Sequence, residues 1–419
     1  MRSRFFYFLL TLGFIYRLLL VHLAPQPDIF DQEEYHQFAR GILTLNSYDL
    51  AVSSYRTFGY PLVLAIIYHF AGIENRWAWI IFQAIMDTAT ALLVFQIALK
   101  IFRKVQPAWA AYIIYLFNPF TSAYVGTRLS EVLTTFAVAL IFFLFIKNLQ
   151  KPNILLMFSL SIALGFLPYI RPGFFFFSVV TFLLTLYLTR SFIGAELSKV
   201  LKLLVISISV ILFLLPMTYN SLRNLAYFGE FTPLTIHNNI AKDFYLSLII
   251  DNQDTDLLSS ETNWVYEEFF NAVGKEERQA MVDKYALLSA EKIRNNPSAF
   301  IISRVRHLVT VWHKHNIFPY SDPIFKKYHK IVYWGNNLLL ILAVMGFYLW
   351  LRKVVSGGKK SEERWFAALV IFLIIYMSII HLGVMTSGRF TIPAYPILLL
   401  FIPISIASFI KRIRLAIKL

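Results

Sequence analysis

Charged side chains gather at a few places in an otherwise apolar chain. Asp28, Asp31, Glu33 and Glu34 lie together, with Asp31 four residues before Tyr35. The run to Ala39 reads as a helix, which places Asp31 and Tyr35 on one face. A carboxylate so placed can serve as a general base toward an acceptor hydroxyl or amine. A first-turn acid that complements the helix dipole fits the same residues. Glu131 follows Ser130 in Thr127-Arg128-Leu129-Ser130-Glu131, at the head of an apolar run. There Ser130 reads equally as an N-cap with Glu131 in the first turn. Four arginines stand beside turn residues: Arg56 before Thr57-Phe58-Gly59-Tyr60-Pro61, Arg171 before Pro172-Gly173, Arg223 before Asn224, and Arg389 after Gly388. Guanidinium forks match phosphate oxygens two at a time. Snorkelling toward lipid headgroups is the plainer account of any one of them.

Other polar groups carry less. Arg17 and Asp87 sit inside apolar runs. Each would cost about 2.5–3.5 kcal/mol facing lipid at mid-membrane, so both are expected to face the interior, for pairing or for substrate. His313 and His315 are two apart, a spacing that points them away from each other on a helix. His381 reads as a buried, hydrogen-bonded histidine. No phosphate-binding loop and no G-x-G-x-x-G motif occurs, so nothing supports direct use of a nucleotide. The predicted metal set is empty. No cofactor is required by these residues, although a divalent cation near Asp31, Glu33 and Glu34 is compatible with them.

The elements that must position these residues are apolar. Of the 419 residues, 58% are hydrophobic and 15% charged, and 40 are Phe. Soluble domains carry roughly 25% charged residues, and disordered chains are polar and poor in aromatics, so both classes are excluded. A net charge of +15 first points to nucleic acid, but its distribution argues for a bilayer instead. A span needs about 20 apolar residues. Ten are predicted, near 5–24, 80–99, 107–124, 132–147, 153–169, 173–189, 200–217, 331–351, 365–382 and 391–410. The first is too long for a signal-peptide core, and Pro25 follows the one plausible cleavage residue, Ala24. The apolar stretch Gly59–Ala71 is read as a juxtamembrane helix. With that choice, segments on one side hold 19 Lys/Arg against three acids, Glu196, Glu362 and Glu363. The first loop on the other side, 25–79, holds three Arg and six acids. That is the positive-inside bias, and it places both termini in the cytoplasm of a multi-pass plasma-membrane (inner-membrane) protein.

The expected fold class is thus an all-α polytopic membrane protein. It divides into a seven-span module over 1–217, an extracytoplasmic loop domain over 218–330, and a three-span module over 331–419. The loop domain holds 13 basic and 13 acidic residues. Within it Lys275–Asn295 reads as an amphipathic helix, with Met281, Tyr285, Leu288 and Ile293 near helical spacing. Asn296-Pro297 ends it. Ser356-Gly357-Gly358 reads as a turn.

Taken together and in order, these motifs resemble the GT-C class of integral-membrane glycosyltransferases. They are most similar to bacterial relatives of protein O-mannosyltransferases and of the lipid A aminoarabinose transferase. The segments are Asp31-Gln32-Glu33-Glu34-Tyr35, Arg56-Thr57-Phe58-Gly59-Tyr60-Pro61-Leu62, Ser130-Glu131, Tyr169-Ile170-Arg171-Pro172, Arg223 through Leu234, and Arg389-Phe390-Thr391-Ile392-Pro393. They cover about residues 5–400. Phe58 stands where the family often has Pro. No W-W-D-type run is present, which argues against transfer of whole glycans to Asn.

The resemblance implies a GT-C fold whose donor is a polyprenyl phosphate carrying one sugar. Asp31 takes the place of the catalytic base, and Glu131 supports the base or the acceptor. Arg171, Arg223, Arg389 and Arg56 are the expected phosphate ligands, with Glu34, Tyr35 and Tyr60 lining the substrate site. The acceptor is a glycolipid, polysaccharide or protein, reached at the outer face of the lipid bilayer. Two other readings remain: an O-antigen polymerase or ligase, and a transporter or flippase for a lipid-linked sugar.

Overall fold

The computed structural model describes residues 2–45, 55–73, 75–196, 198–236, 240–249, 265, 267–268, 274–356, 361–384 and 387–417. Gly357 and Gly358 of the expected turn lie outside the described residues. Among the described residues the regular elements are helices, with no strand. Backbone polar groups satisfied within one segment are what a lipid environment demands.

Helix α1 (Arg2–Leu23) leads into the first loop, which carries α2 (Asp31–Thr44) and α3 (Gly59–Ala71). Next come α4 (Arg76–Phe102), α5 (Val105–Leu116), α6 (Glu131–Gln150), α7 (Ile154–Ile170), α8 (Phe175–Glu196) and α9 (Lys199–Phe228). The large loop bears α10 (Ile240–Ile249), α11 (Lys275–Asn295) and α12 (Pro297–Thr310). The chain closes with α13 (His329–Ser356), α14 (Ser361–Ile379), α15 (Tyr395–Leu399) and α16 (Ile402–Ile417). The amphipathic helix expected in the loop forms with the expected bounds. It buries Tyr285 and packs Met281 and Leu288 in a small satellite cluster with Tyr245 and Leu246.

Seven helices among the described residues are long and apolar enough to cross a membrane, and an eighth crossing is available if the pair 388–399 and 402–415, bent by 54°, counts as one. The prediction of ten is therefore met in part. The thirteen residues of α3 reach about 20 Å, short of the ~30 Å hydrocarbon core. The seventeen residues of α7 reach about 25 Å. The predicted span 107–124 is broken: α5 stops after twelve residues, about 18 Å. Asn118-Pro119 causes the break. Pro119 has no N–H to continue the ladder, and the Asn118 side chain instead accepts from the Phe120 N–H at 2.8 Å.

A buried ion pair mends that break. Arg17 of α1 donates to Asp87 of α4 at 2.7 Å and to the carbonyls of Leu116 at 2.9 Å and Gly13 at 2.8 Å. Tyr115 donates its hydroxyl to the other Asp87 oxygen at 2.6 Å. The two ionisable groups that the sequence places inside the membrane thus satisfy each other and the end of α5.

The long helix α4 also connects two chemically distinct ends. Its start lies by the first loop, where Arg76 donates to the Gln26 carbonyl at 2.9 Å. Its 27 residues run about 40 Å to Arg103, which pairs with Glu363 at 3.3 Å, while Lys100 donates to Gln150 at 3.4 Å. The acids and arginines of the loops therefore stand at the opposite end from these basic helix termini.

Removing one partner of a buried ion pair strands the other, at a cost of about 3–5 kcal/mol. Asp87→Ala should accordingly lower the thermal midpoint of the detergent-solubilised protein markedly. The double substitution Arg17→Met with Asp87→Leu should cost less than the sum of the single ones, measured by intrinsic fluorescence on heating. Additive effects would show that the two side chains do not depend on each other.

Candidate active site

Asp31 opens α2, its carboxylate at the helix N-terminus where the dipole favours negative charge. Two guanidiniums reach it. Arg56 donates to one oxygen at 2.5 Å and Arg389 to the other at 2.5 Å. Arg56 also donates to Glu34 at 2.7 Å, and its guanidinium lies 5.0 Å over the Tyr35 ring. On the far side, Arg389 stands 4.0 Å from Glu131 at the start of α6, and Arg171 lies 3.2 Å from the same carboxylate oxygen. Glu34, Arg56, Asp31, Arg389, Glu131 and Arg171 thereby form one alternating chain of charges drawn from five parts of the sequence.

Local backbone requirements bring these parts together. Gly59 starts α3 so close to the end of α7 that an added Cβ would lie 2.5 Å from the Tyr169 carbonyl oxygen. Only glycine allows that approach, which carries Arg56 toward Arg171. Thr57 adds a hydrogen bond to the Ile170 carbonyl at 3.4 Å. Arg171 and Arg389 both flank the Phe390 ring, each at 5.5 Å. At that distance the ring face attracts both cations.

Not every expected residue joins this chain. Tyr60 is buried, meets Tyr35 edge-on at 4.9 Å and spends its hydroxyl on Gln83 at 3.3 Å, so it supports the site from behind. Arg223 stands on a separate aromatic patch, 5.3 Å over Phe38 and 5.9 Å over Phe228, and donates to Asn224 at 2.5 Å. Glu33 turns to Gln37, which donates to it at 3.1 Å, and away from the arginines. Among the described residues no group of three or more His or acidic side chains lies together as metal ligands would. His313 and His315 instead pack their rings on Tyr333.

Three residues enter that the sequence reading did not select. Arg128 pairs with Asp28 at 2.5 Å and presents its backbone N–H to Gln32 at 2.7 Å, which ties the first loop to the head of α6. Tyr320 accepts from Arg389 at 3.3 Å. Lys314 is buried beside Gly388 and donates to its carbonyl. The polar run Trp312 to His315 was the available signal for Lys314, but it was read for its histidines. Tyr320 had no sequence signal, because the loop that carries it has no periodicity.

Burial alone would raise the Asp31 carboxyl, but Arg389 and Arg56 outweigh it and hold the group well below the usual carboxylate range. The site at rest therefore keeps Asp31 ionised and a weak base. Its contribution to stability is full above the ordinary aspartate value and is lost as pH falls through the depressed one. The thermal midpoint of the wild-type protein should thus drop more steeply between pH 5 and 3 than that of Asp31→Asn, measured by calorimetry in detergent. Equal slopes would mean that Asp31 is not held by the arginines in solution. No protein-family model matches this chain, and no curated protein matches it.

Proposed function

We propose that this chain is an inverting glycosyltransferase of the GT-C type that moves one sugar from a polyprenyl phosphate to an acceptor at the outer membrane surface. The observation that carries the reading is Asp31 clasped between Arg56 and Arg389, with Glu131 and Arg171 alongside. A general base next to cations that fit a phosphate is what such a transfer needs. The positive-inside distribution supports a ten-pass topology with cytoplasmic termini and an outward-facing site.

On this reading the donor phosphate competes with Asp31 for the guanidiniums. Its oxygens take the forks of Arg389 and Arg56, and Asp31 is released from both. A carboxylate freed of two cations regains basicity, so the base is armed only when donor is bound. Asp31 then removes the proton from the acceptor oxygen or nitrogen. That atom forms a bond to the anomeric carbon as the bond from this carbon to the phosphate oxygen breaks. The electron pair leaves on the lipid phosphate, and the arginines stabilise its growing charge. Glu131 holds Arg171 and Arg389 in place during the exchange.

The test is full-length protein in nanodiscs supplied with synthetic polyprenyl-phosphate hexoses and pentoses. Release of polyprenyl phosphate is the expected result. Asp31→Asn should lower that rate by about 100-fold or more while the protein is still purified in normal yield. Near-normal turnover in Asp31→Asn would sink the assignment. Release of a polyprenyl pyrophosphate would favour a polymerase or ligase, and movement of intact donor across the bilayer without release would favour a transporter.

A further inference from the structure

The segment between α12 and α13 crosses the candidate site and is fastened at both ends. At its start the Thr391 hydroxyl donates to the Val311 carbonyl at 3.2 Å, Asn336 donates to the Trp312 carbonyl at 2.9 Å, and the Trp312 ring N–H reaches Ser378 at 3.0 Å. Further on, the Gln26 side chain accepts from the backbone N–H groups of Tyr320 at 3.1 Å and Ser321 at 3.0 Å, and donates to the Ser321 carbonyl at 2.7 Å. Lys314 lies between these anchors. Its ammonium is 4.9 Å over the Tyr395 ring and donates to the carbonyl of Gly388, the peptide immediately before Arg389. The contact is tight: a Cβ at Gly388 would sit 2.3 Å from the His313 carbonyl oxygen and 3.4 Å from Lys314 Cγ.

We propose that Lys314 is a positioning residue for Arg389, its protonated amine gripping the Gly388 peptide so that the Arg389 guanidinium stays aimed at Asp31 and Glu131. This rests on the glycosyl-transfer reading for its assay. The geometry gives one reason. Arg389 is asked to hand its fork from Asp31 to a phosphate and back, and a flexible side chain can do so reproducibly only if its backbone is fixed. Arg389 sits in the first turn of a 3₁₀ helix, Gly388–Ala394, which leads into α15 at the site end of the bent pair. The Thr391 hydroxyl reaches the same Gly388 carbonyl at 3.2 Å, and Lys314 adds a charged donor from the segment between α12 and α13.

The charged and titratable groups that face Lys314 are few. Glu131 comes from the head of α6, Arg389 from the gripped segment, and Tyr395, itself beside Tyr124, from α15. Burial lowers the Lys314 amine from its ordinary value to about 7, with Glu131 opposing that shift. The sign follows. The amine is charged below about pH 7 and loses its proton above it. A neutral amine is a weaker donor, so the grip on Gly388 slackens and transfer falls as pH rises. Over the interval from there to the unfolded-state lysine value, stability changes the opposite way, because the unfolded chain binds the extra proton. A loss of activity there is not unfolding.

The experiment is the pH profile of polyprenyl phosphate release, from pH 6 to 9, for wild type, Lys314→Met and Lys314→Arg in nanodiscs. Wild type should show an alkaline limb that centres near pH 7. Lys314→Met should be at least about tenfold slower at pH 6 and lack the limb. Lys314→Arg, whose charge does not titrate here, should retain activity at pH 9 relative to pH 6. A limb unchanged in Lys314→Met overturns the proposal, as does a wild-type profile without any limb, a result that needs neither variant to fold. If wild type releases no polyprenyl phosphate from any donor at any pH, the transfer reading itself fails. The grip is then read from hydrogen–deuterium exchange over 388–394 at pH 6, which should be faster in Lys314→Met than in wild type; equal exchange would overturn it.

Discussion

A carboxylate taken partly out of water must be met by a cation or lose its charge, and Asp31 is met by two. Arg56 lies 25 residues away in the chain and Arg389 lies 358 residues away. Satisfying both oxygens of that one carboxylate closes the first loop onto the last membrane segment. The requirement then propagates outward. Arg56 needs Glu34 for its remaining donors, and Arg389 and Arg171 share Glu131. The loop helices, the head of α6, the end of α7 and the 3₁₀ helix Gly388–Ala394 are arranged around this alternation of charge, with the rings of Tyr35 and Phe390 within cation–π distance of the guanidiniums.

The same alternation carries a functional tension. Ion pairs that keep Asp31 charged also make it a poor base, and arginines occupied by carboxylates are not free for phosphate. On the proposed transfer reading, a donor phosphate resolves both at once by taking the cations and releasing Asp31. On that reading, the resting network is a set of cations already oriented for the incoming anion. Arg223 packs over Phe38 and Phe228, two rings outside the six-residue charge chain.

A second buried pair has no such tension. Arg17 and Asp87 answer each other and the carbonyls freed where α5 breaks at Asn118-Pro119. The break matters to the site because the residues after it, through Ser130, turn back toward the first loop, where Gln83 donates to the Val125 and Thr127 carbonyls at 3.0 and 2.7 Å. A continuous helix over 107–124 would carry Arg128 and Glu131 along a different path.

Much of this was legible in the residues themselves. Long apolar runs with few charges dictate helices that suit a bilayer. Lys275–Asn295 announced its bounds through its spacing and Asn296-Pro297, and the charge pattern set Gly59–Ala71 apart from the spans. Asp31, Glu34, Arg56, Glu131, Arg171 and Arg389 stood out because charges are costly in so apolar a chain, and the fold does bring these six together. What the tertiary structure alone decided is the pairing: that Arg56 and Arg389 share Asp31, that Arg171 faces Glu131, that Arg223 keeps to another patch, and that Lys314 and Tyr320 belong to the site. The physical reason is range. Helical periodicity reports only which residues share a face within a few turns, whereas these contacts join segments tens to hundreds of residues apart, through loops whose course is set by the packing of the helices they connect.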